Sequence, residues 1–401
     1  MNESAEPVLF NPLDASFRAD PYPQYKALYS APPPILNLFI PLIPVARYRD
    51  LIAVLRDHEH FSSVPPRQFA NPEDLKVTGN APTLVSSDPP VHTRLRRLVS
   101  RAFSPARIRA MQPRIRQIAC ELLDRVAERG GFEVMEDFAA PLPVRIIAEM
   151  LGVDPANNQQ FREWSNTLMD SSNRSGPGAP MAPNVRRAFI ELRDYFGVEI
   201  ERRRRTPGDD LISLLVAAHD EAEALSADEL MGFVILLLIA GNETTTNLIG
   251  NGMLALARNP GQLELLARTP DLLPSAIEEM LRYDSPVQST LRVAKSGAAV
   301  GGTSVPAGAL MFALVGAGNR DPAQFSEPDR FDVAREPNDH LAFGEGIHFC
   351  LGASLARLEA QVAFSEVLAR FPHFRLANPG VKLQYRGSFF LRGLTELRIA
   401  V

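Results

Sequence analysis

Apolar residues three and four apart recur over 106–129, 185–205, 227–258, 271–283 and 353–371, the spacing of helices with one buried face. The segment LSADELMGFVILLLIAGNETTTNLIGNGMLALARNP (225–260) differs from the rest, because Leu230 to Ile239 are apolar on every side. Such a helix belongs in a core. Ser226 with Glu229 three residues on forms a capping box, and Asn259-Pro260 supplies a stop. At a rise of ~1.5 Å per residue it would reach ~48 Å, enough to cross the whole domain. Short β-like pieces occur at PLIPVARY (41–48), ALMFALVGAG (309–318) and LQYRGSFFLRGLTELRIAV (383–401). The pattern predicts a mainly α fold with small β-sheets at its edges.

Two stretches, 61–90 and 171–184, hold too many Pro, Gly and Asn for regular structure and read as loops, with a lid as their expected role. Neither divides the chain into self-sufficient halves, so 1–401 reads as one domain. The polar run Gly241, Asn242, Glu243, Thr244, Thr245, Thr246 interrupts the apolar helix. Glycine in a helix interior costs about 1 kcal/mol and a buried carboxyl costs more unless paired. A rule broken in mid-core marks a candidate site.

Composition narrows the class. The chain has 401 residues, 45% of them hydrophobic, which is ample for a core. Two cysteines, Cys120 and Cys350, are too few for a disulfide framework and fit a reducing compartment. The N-terminal stretch lacks the basic-then-apolar order of a signal peptide, and the apolar run Leu230–Gly241 is shorter than a bilayer requires. A net charge of −5 argues against nucleic acid as a partner. A soluble cytoplasmic protein without a membrane anchor is expected.

Cys350 lies in HLAFGEGIHFCLGASLARLEA (340–360), a glycine-rich turn leading into a helix. Glycines leave backbone N–H groups free to point at a sulfur, and a helix N-terminus favours a thiolate, so the thiol pKa should fall. Nucleophile, redox sensor, metal ligand and buried structural cysteine are the available roles. No base is obviously aimed at the sulfur and no CxxC or HxxxH spacing occurs, which favours a metal that brings its own equatorial ligands, as haem does.

The run Phe343-Gly344-Glu345-Gly346-Ile347-His348-Phe349-Cys350-Leu351-Gly352 resembles the haem-binding signature of the cytochrome P450 family. The resemblance implies that Cys350 is the proximal ligand of haem b, with Phe343 beside the sulfur and Gly344 and Gly352 shaping the turn. Ala240-Gly241-Asn242-Glu243-Thr244-Thr245 resembles the family's oxygen-activation motif. It implies that Gly241 lets the helix open, Glu243 feeds protons and Thr244 steadies the activated oxygen. His92 and Arg96 in DPPVHTRLRRLVSRAF, Arg292 in STLRVA, and His348 match propionate-binding positions. Glu279 and Arg282 in EEMLRY, with Arg330 in FSEPDRFDVAR, resemble a buried structural triad.

The same resemblance implies a monooxygenase that uses O2 on a hydrophobic small molecule such as a fatty acid, terpenoid, steroid or polyketide. The pocket walls would include Leu236, Ile239, Ala240, Val287, Gln288, Thr290, Phe389 and Phe390. Electrons would come from a separate ferredoxin-type donor, docking near the basic residues Arg97, Arg101, Arg109, Arg114 and Arg116 of a monomer. Two alternatives stand: a peroxide-using peroxygenase, which tends to lack the acid–alcohol pair, and a non-enzymatic haem sensor.

Overall fold

The computed structural model describes residues 10–11, 14–29, 33–37, 41–169, 178–217, 225–386 and 390–401. The helices that position the site are α1 (Tyr48–Arg56), α2 (Pro72–Thr78), α3 (Val91–Ser100), α4 (Gln112–Asp124), α5 (Pro141–Met150), α6 (Asn158–Met169), α7 (Pro183–Arg205), α8 (Ala227–Arg258), α9 (Leu273–Tyr283) and α10 (Ala353–Arg370). Strands β1 (Leu36–Asn37), β2 (Pro41–Val45), β3 (Phe61–Ser62), β4 (Gly131–Glu133), β5 (Thr290–Ala294), β6 (Leu310–Ala313), β7 (Arg375–Leu376) and β8 (Arg398–Ala400) form the main small sheets. Among the described residues one sheet has the order β1-β2-β6-β5-β3 and another β4-β8-β7. β2 and β6 run parallel, and β5 pairs antiparallel with β6, Arg292 opposite Met311.

α8 is the axis of the molecule. Ser226 Oγ accepts from the Glu229 N–H at 3.1 Å, and Glu229 Oε2 accepts from the Ser226 N–H at 2.8 Å. The capping box thus starts the helix where expected. α8 packs against α5, α6, α7, α9 and α10. Its length and composition would suit a bilayer, but 61% of its apolar window is buried inside the protein, as in a core helix. A Cβ at Gly252 would lie 2.6 Å from Phe364 Cζ and 2.7 Å from Met280 Sδ, so glycine there lets α9 and α10 approach.

Three expectations change. The stretch 106–129 breaks into Pro105–Ala110 and α4, because Pro113 fits only the first turn of a new helix. The irregular stretch 61–90 contains α2: Asn71 Oδ1 accepts from the Glu73 N–H at 2.9 Å, Pro72 opens the helix, and Gly79 (φ +79°) closes it. The residues read as breakers are its caps. In 383–401 the only strand among the described residues is β8, with isolated bridges Tyr385–Leu394 and Val287–Leu391. Of the second loop, 171–177 lies outside the described residues.

Candidate active site

The turn before α10 is built on two left-handed glycines, Gly344 and Gly346, both at φ +72°. Gly346 also abuts α1, since a Cβ there would lie 2.8 Å from the Leu55 carbonyl oxygen. The Cys350 N–H donates to the Phe343 carbonyl at 2.9 Å, closing the loop so that Cys350 precedes the helix by three residues. Phe343 stacks under the Arg357 guanidinium at 4.5 Å. Arg357 is held in turn by Glu278, with two 2.7 Å bonds. Cys350 has exposed surface, yet surrounding protein raises its thiol pKa through burial. The Gly352 N–H, Arg96 and Arg357 act the other way but do not outweigh burial. The expected fall in pKa is therefore not met by protein groups alone; the open surface of a closely surrounded thiol faces a hollow rather than bulk solvent.

α8 lines a hollow too. Ala240 is exposed in the middle of this core helix, and Leu236, Leu237 and Thr244 beside it are half-buried. Positions 236, 240 and 244 are four apart and share one face. The helix is not interrupted at its polar run. Thr244 Oγ1 donates to the Ala240 carbonyl at 2.8 Å, and Asn242 donates to Ser165 on α6, so the polar groups are satisfied without breaking the ladder. Gly241, expected to let the helix open, lies against α5 within an unbroken helix. A Cβ there would lie 2.8 Å from Ile147 Cδ1, so glycine at 241 serves the α5–α8 contact. Glu243 is buried, 3% exposed.

Four basic side chains gather between α3, β5 and the cysteine turn. The His92 and His348 rings lie 4.3 Å apart, and His348 Nε2 meets Ser63 Oγ at 2.9 Å. His92 Nε2 is buried without a hydrogen-bond partner. Burial, Arg292 and His92 together pull His348 down to about 3, and burial holds Arg292 down to about 10. Burial likewise lowers Arg96. Neither Arg96 nor Arg292 has an ion-pair partner among the described residues. Buried cations in this state call for anions. Two carboxylates and a thiol-binding metal, the donor needs of haem, fit this set.

Several pocket expectations change. Gln288 is buried; its Oε1 accepts from Tyr25 Oη at 3.0 Å and its Nε2 donates to the Ser285 carbonyl at 2.8 Å, within the N-terminal core. Phe390 packs edge-on against Phe312, centroids 6.1 Å apart, in that same cluster. Both side chains are therefore engaged in that N-terminal cluster. Ile239 packs on the main core, and half-buried Thr290 accepts from Arg292 Nη1 at 3.4 Å. Val287 is half-buried beside Leu391, and Phe389 lies outside the described residues.

The triad also changes membership. Glu279 and Arg282 are wholly buried and joined by bonds of 2.7 and 2.8 Å. Arg330 contributes only its carbonyl to Arg282, while its side chain is 56% exposed and pairs with Glu327. The third member is Arg335, whose Nε reaches both Glu279 oxygens at 3.2 and 3.1 Å. Asn338 joins at 3.2 Å. In the expected docking patch, Arg114 is held by Glu149 and Arg116 lies 3.5 Å from Glu366; Arg109 is exposed, and the Arg101 side chain lies outside the described residues.

Comparison with known proteins places the chain. The family model described as cytochrome P450 matches residues 7–268 and 269–391. The chain is 39% identical to the 6-deoxyerythronolide B hydroxylase of Saccharopolyspora erythraea over 96% of each protein. It is 40% identical to the vitamin D(3) 25-hydroxylase of Pseudonocardia autotrophica, over 97% of this chain and 96% of that one. The crystal structure of P450BioI with an acyl carrier protein bearing hexadec-9Z-enoic acid matches at a TM-score of 0.87 and 36% identity, covering 97% of this chain and all of that one. A sequence signature, two arginines beside the cysteine turn without ion-pair partners among the described residues, and full-length likeness in sequence and fold lead to one conclusion: this chain belongs to the cytochrome P450 family and is a P450 monooxygenase, which works with a haem iron.

Proposed function

We propose that this enzyme hydroxylates a hydrophobic small molecule of fatty acyl, polyketide or steroid type, using O2 and electrons from a separate ferredoxin-type protein. The observation that carries the reading is the pair of arginines without ion-pair partners among the described residues, half-buried Arg96 and buried Arg292, gathered with His92 and His348 beside Cys350. In this reading Cys350 would bind the iron of haem b, His92, Arg96, Arg292 and His348 would hold its propionates, and the Arg357-clamped Phe343 would keep the cysteine turn rigid. When bound, the haem supplies the activation of dioxygen and the transfer of one oxygen atom to the substrate.

The chain's own residues do the rest. Leu236 and Ala240 present an apolar face to the substrate and exclude water from it. Glu243 holds a proton within the core, one residue from Thr244, whose hydroxyl can turn from the Ala240 carbonyl toward the hollow. The substrate class draws support from relatives named for a polyketide-type and a vitamin D hydroxylation, and from the acyl carrier complex.

The two loops read as lids are tied together. Asp74 of α2 accepts from the Met181 N–H at 3.0 and 3.2 Å, Asn71 Nδ2 donates to the Gly178 carbonyl at 3.0 Å, and Arg186 donates to the Glu73 carbonyl at 3.0 Å. We take this latch to cover the substrate entrance.

The reading is tested by titrating the purified haem protein with hexadec-9-enoic acid, a macrolide aglycone and vitamin D3. At least one should shift the Soret band by displacing the iron's water, and should be hydroxylated when ferredoxin, its reductase and NADPH are added. Turnover with peroxide but never with ferredoxin and O2 would replace the reading with a peroxygenase.

A further inference from the structure

Asn247 lies on α8 one turn beyond Glu243 and three residues beyond Thr244, on the same side of the helix. It is 0% exposed, and neither its Oδ1 nor its Nδ2 has a hydrogen-bond partner. The C-terminal segment closes over it at Gly393, where any Cβ would overlap the amide. One turn further on, Asn251 also leaves its Oδ1 unpartnered but uses its amide nitrogen. Its Nδ2 donates to the Asp284 carbonyl at 3.1 Å and to the Arg392 carbonyl at 3.0 Å, tying α8 to that segment. Asn247 faces the same C-terminal segment at Gly393 and makes no hydrogen bond to it. Each buried group left unsatisfied is destabilising, and a leucine of similar volume would avoid the loss.

A polar group held at this cost has its partner in another state of the protein. One turn before it on α8 lie the buried Glu243 carboxyl and the Thr244 hydroxyl, and one turn after it lies Asn251. An amide suits a carboxyl that changes protonation. Its NH2 donates to the carboxylate, and its carbonyl accepts from the acid O–H. We infer that Asn247 is a positioning residue that receives the Glu243 carboxyl during turnover and holds it toward Thr244. This rests on the proton-holding role given to Glu243 above.

The test compares wild type with Asn247→Leu, Asn247→Asp and Glu243→Gln, each loaded with haem and with hexadec-9-enoic acid as the bound probe. Plant-type ferredoxin, its reductase and NADPH drive the reaction. The readouts are peroxide formed per NADPH, the solvent deuterium isotope effect on NADPH consumption, and melting temperature. Asn247→Leu should melt at or above the wild-type temperature, yet raise the peroxide share by about fivefold, the effect of losing one hydrogen bond of ordinary strength. Its isotope effect should rise with it. Asn247→Asp, which keeps a donor only while its carboxyl is protonated, should show a peroxide share that climbs as pH rises; it also serves if the leucine variant does not fold. A well-folded Asn247→Leu with wild-type peroxide share and isotope effect overturns the inference, as does a pH-independent Asn247→Asp. If Glu243→Gln itself leaves the peroxide share unchanged, the role of Glu243 fails; if Glu243→Gln uncouples and the Asn247 variants do not, only the inference about Asn247 fails.

Discussion

Cys350 and Thr244 sit at the ends of short backbone constraints that a point substitution leaves standing. Replacing Cys350 with serine keeps the turn, because the turn depends on Gly344, Gly346 and the 2.9 Å bond from the backbone N–H at 350. The expected outcome is a folded protein whose reduced, carbon-monoxide-treated form lacks the strongly red-shifted band of a thiolate-ligated haem. An unchanged band would remove Cys350 as ligand. Thr244→Ala loses only a back-bond to Ala240, so its melting temperature should move little. It should divert electrons to peroxide, measured as peroxide per NADPH; full coupling would contradict the role given to Thr244.

At the scale of elements, the joints matter more than the helices. The latch between α2 and the 178–186 segment rests on a carboxylate that is 4% exposed. Asp74→Ala removes the acceptor of the Met181 N–H, and the expected outcome is a severalfold faster substrate release in stopped-flow Soret measurements, at unchanged peak position. Equal release rates would dissociate the latch from entry. A second joint ties α9 to α10 through Glu278. Burial would raise this carboxyl, but the bonds from Arg357 and His340 outweigh it and hold it at about 2. A depressed folded-state pKa means stabilisation that is full above the unfolded value of 4.5 and is lost as pH falls toward 2. Glu278→Gln should therefore be less stable than wild type at pH 7, with a difference that shrinks on acidification, read from urea unfolding midpoints across pH.

At the scale of the whole molecule, the buried charges around α9 couple distant segments of chain. Glu279, Arg282 and Arg335 join 279–282 to 319–338 in a network whose Glu279–Arg282 pair is wholly buried. Arg335→Ala should cost about 3–5 kcal/mol, the cost of breaking a buried ion pair, whereas Arg330→Ala should fall within about 0.5 kcal/mol of wild type. Chemical denaturation of both variants decides which arginine completes the network. Glu359 on α10 is a buried acid of the opposite kind: 1% exposed, its Oε2 unpartnered, and its pKa raised by burial alone. Its proton is retained on folding, so it favours the folded state most at acid pH and less as pH rises.

The sequence by itself determined most of the helical stretches, the capping box of α8 and the polar run within it, and the cysteine turn. These depend on residues within about four positions of one another, where periodicity, cap chemistry and turn glycines act directly. Family membership was legible for the same reason, since its signatures are contiguous. Only the tertiary structure decided that Arg335 rather than Arg330 reaches Glu279, that Gln288 and Phe390 turn into the N-terminal core, that Gly241 serves packing, and that Asn247 meets Gly393. Each of those depends on which of several chemically equivalent groups lies nearest once segments far apart in the chain have packed. Spacing along the chain carries no information on that distance.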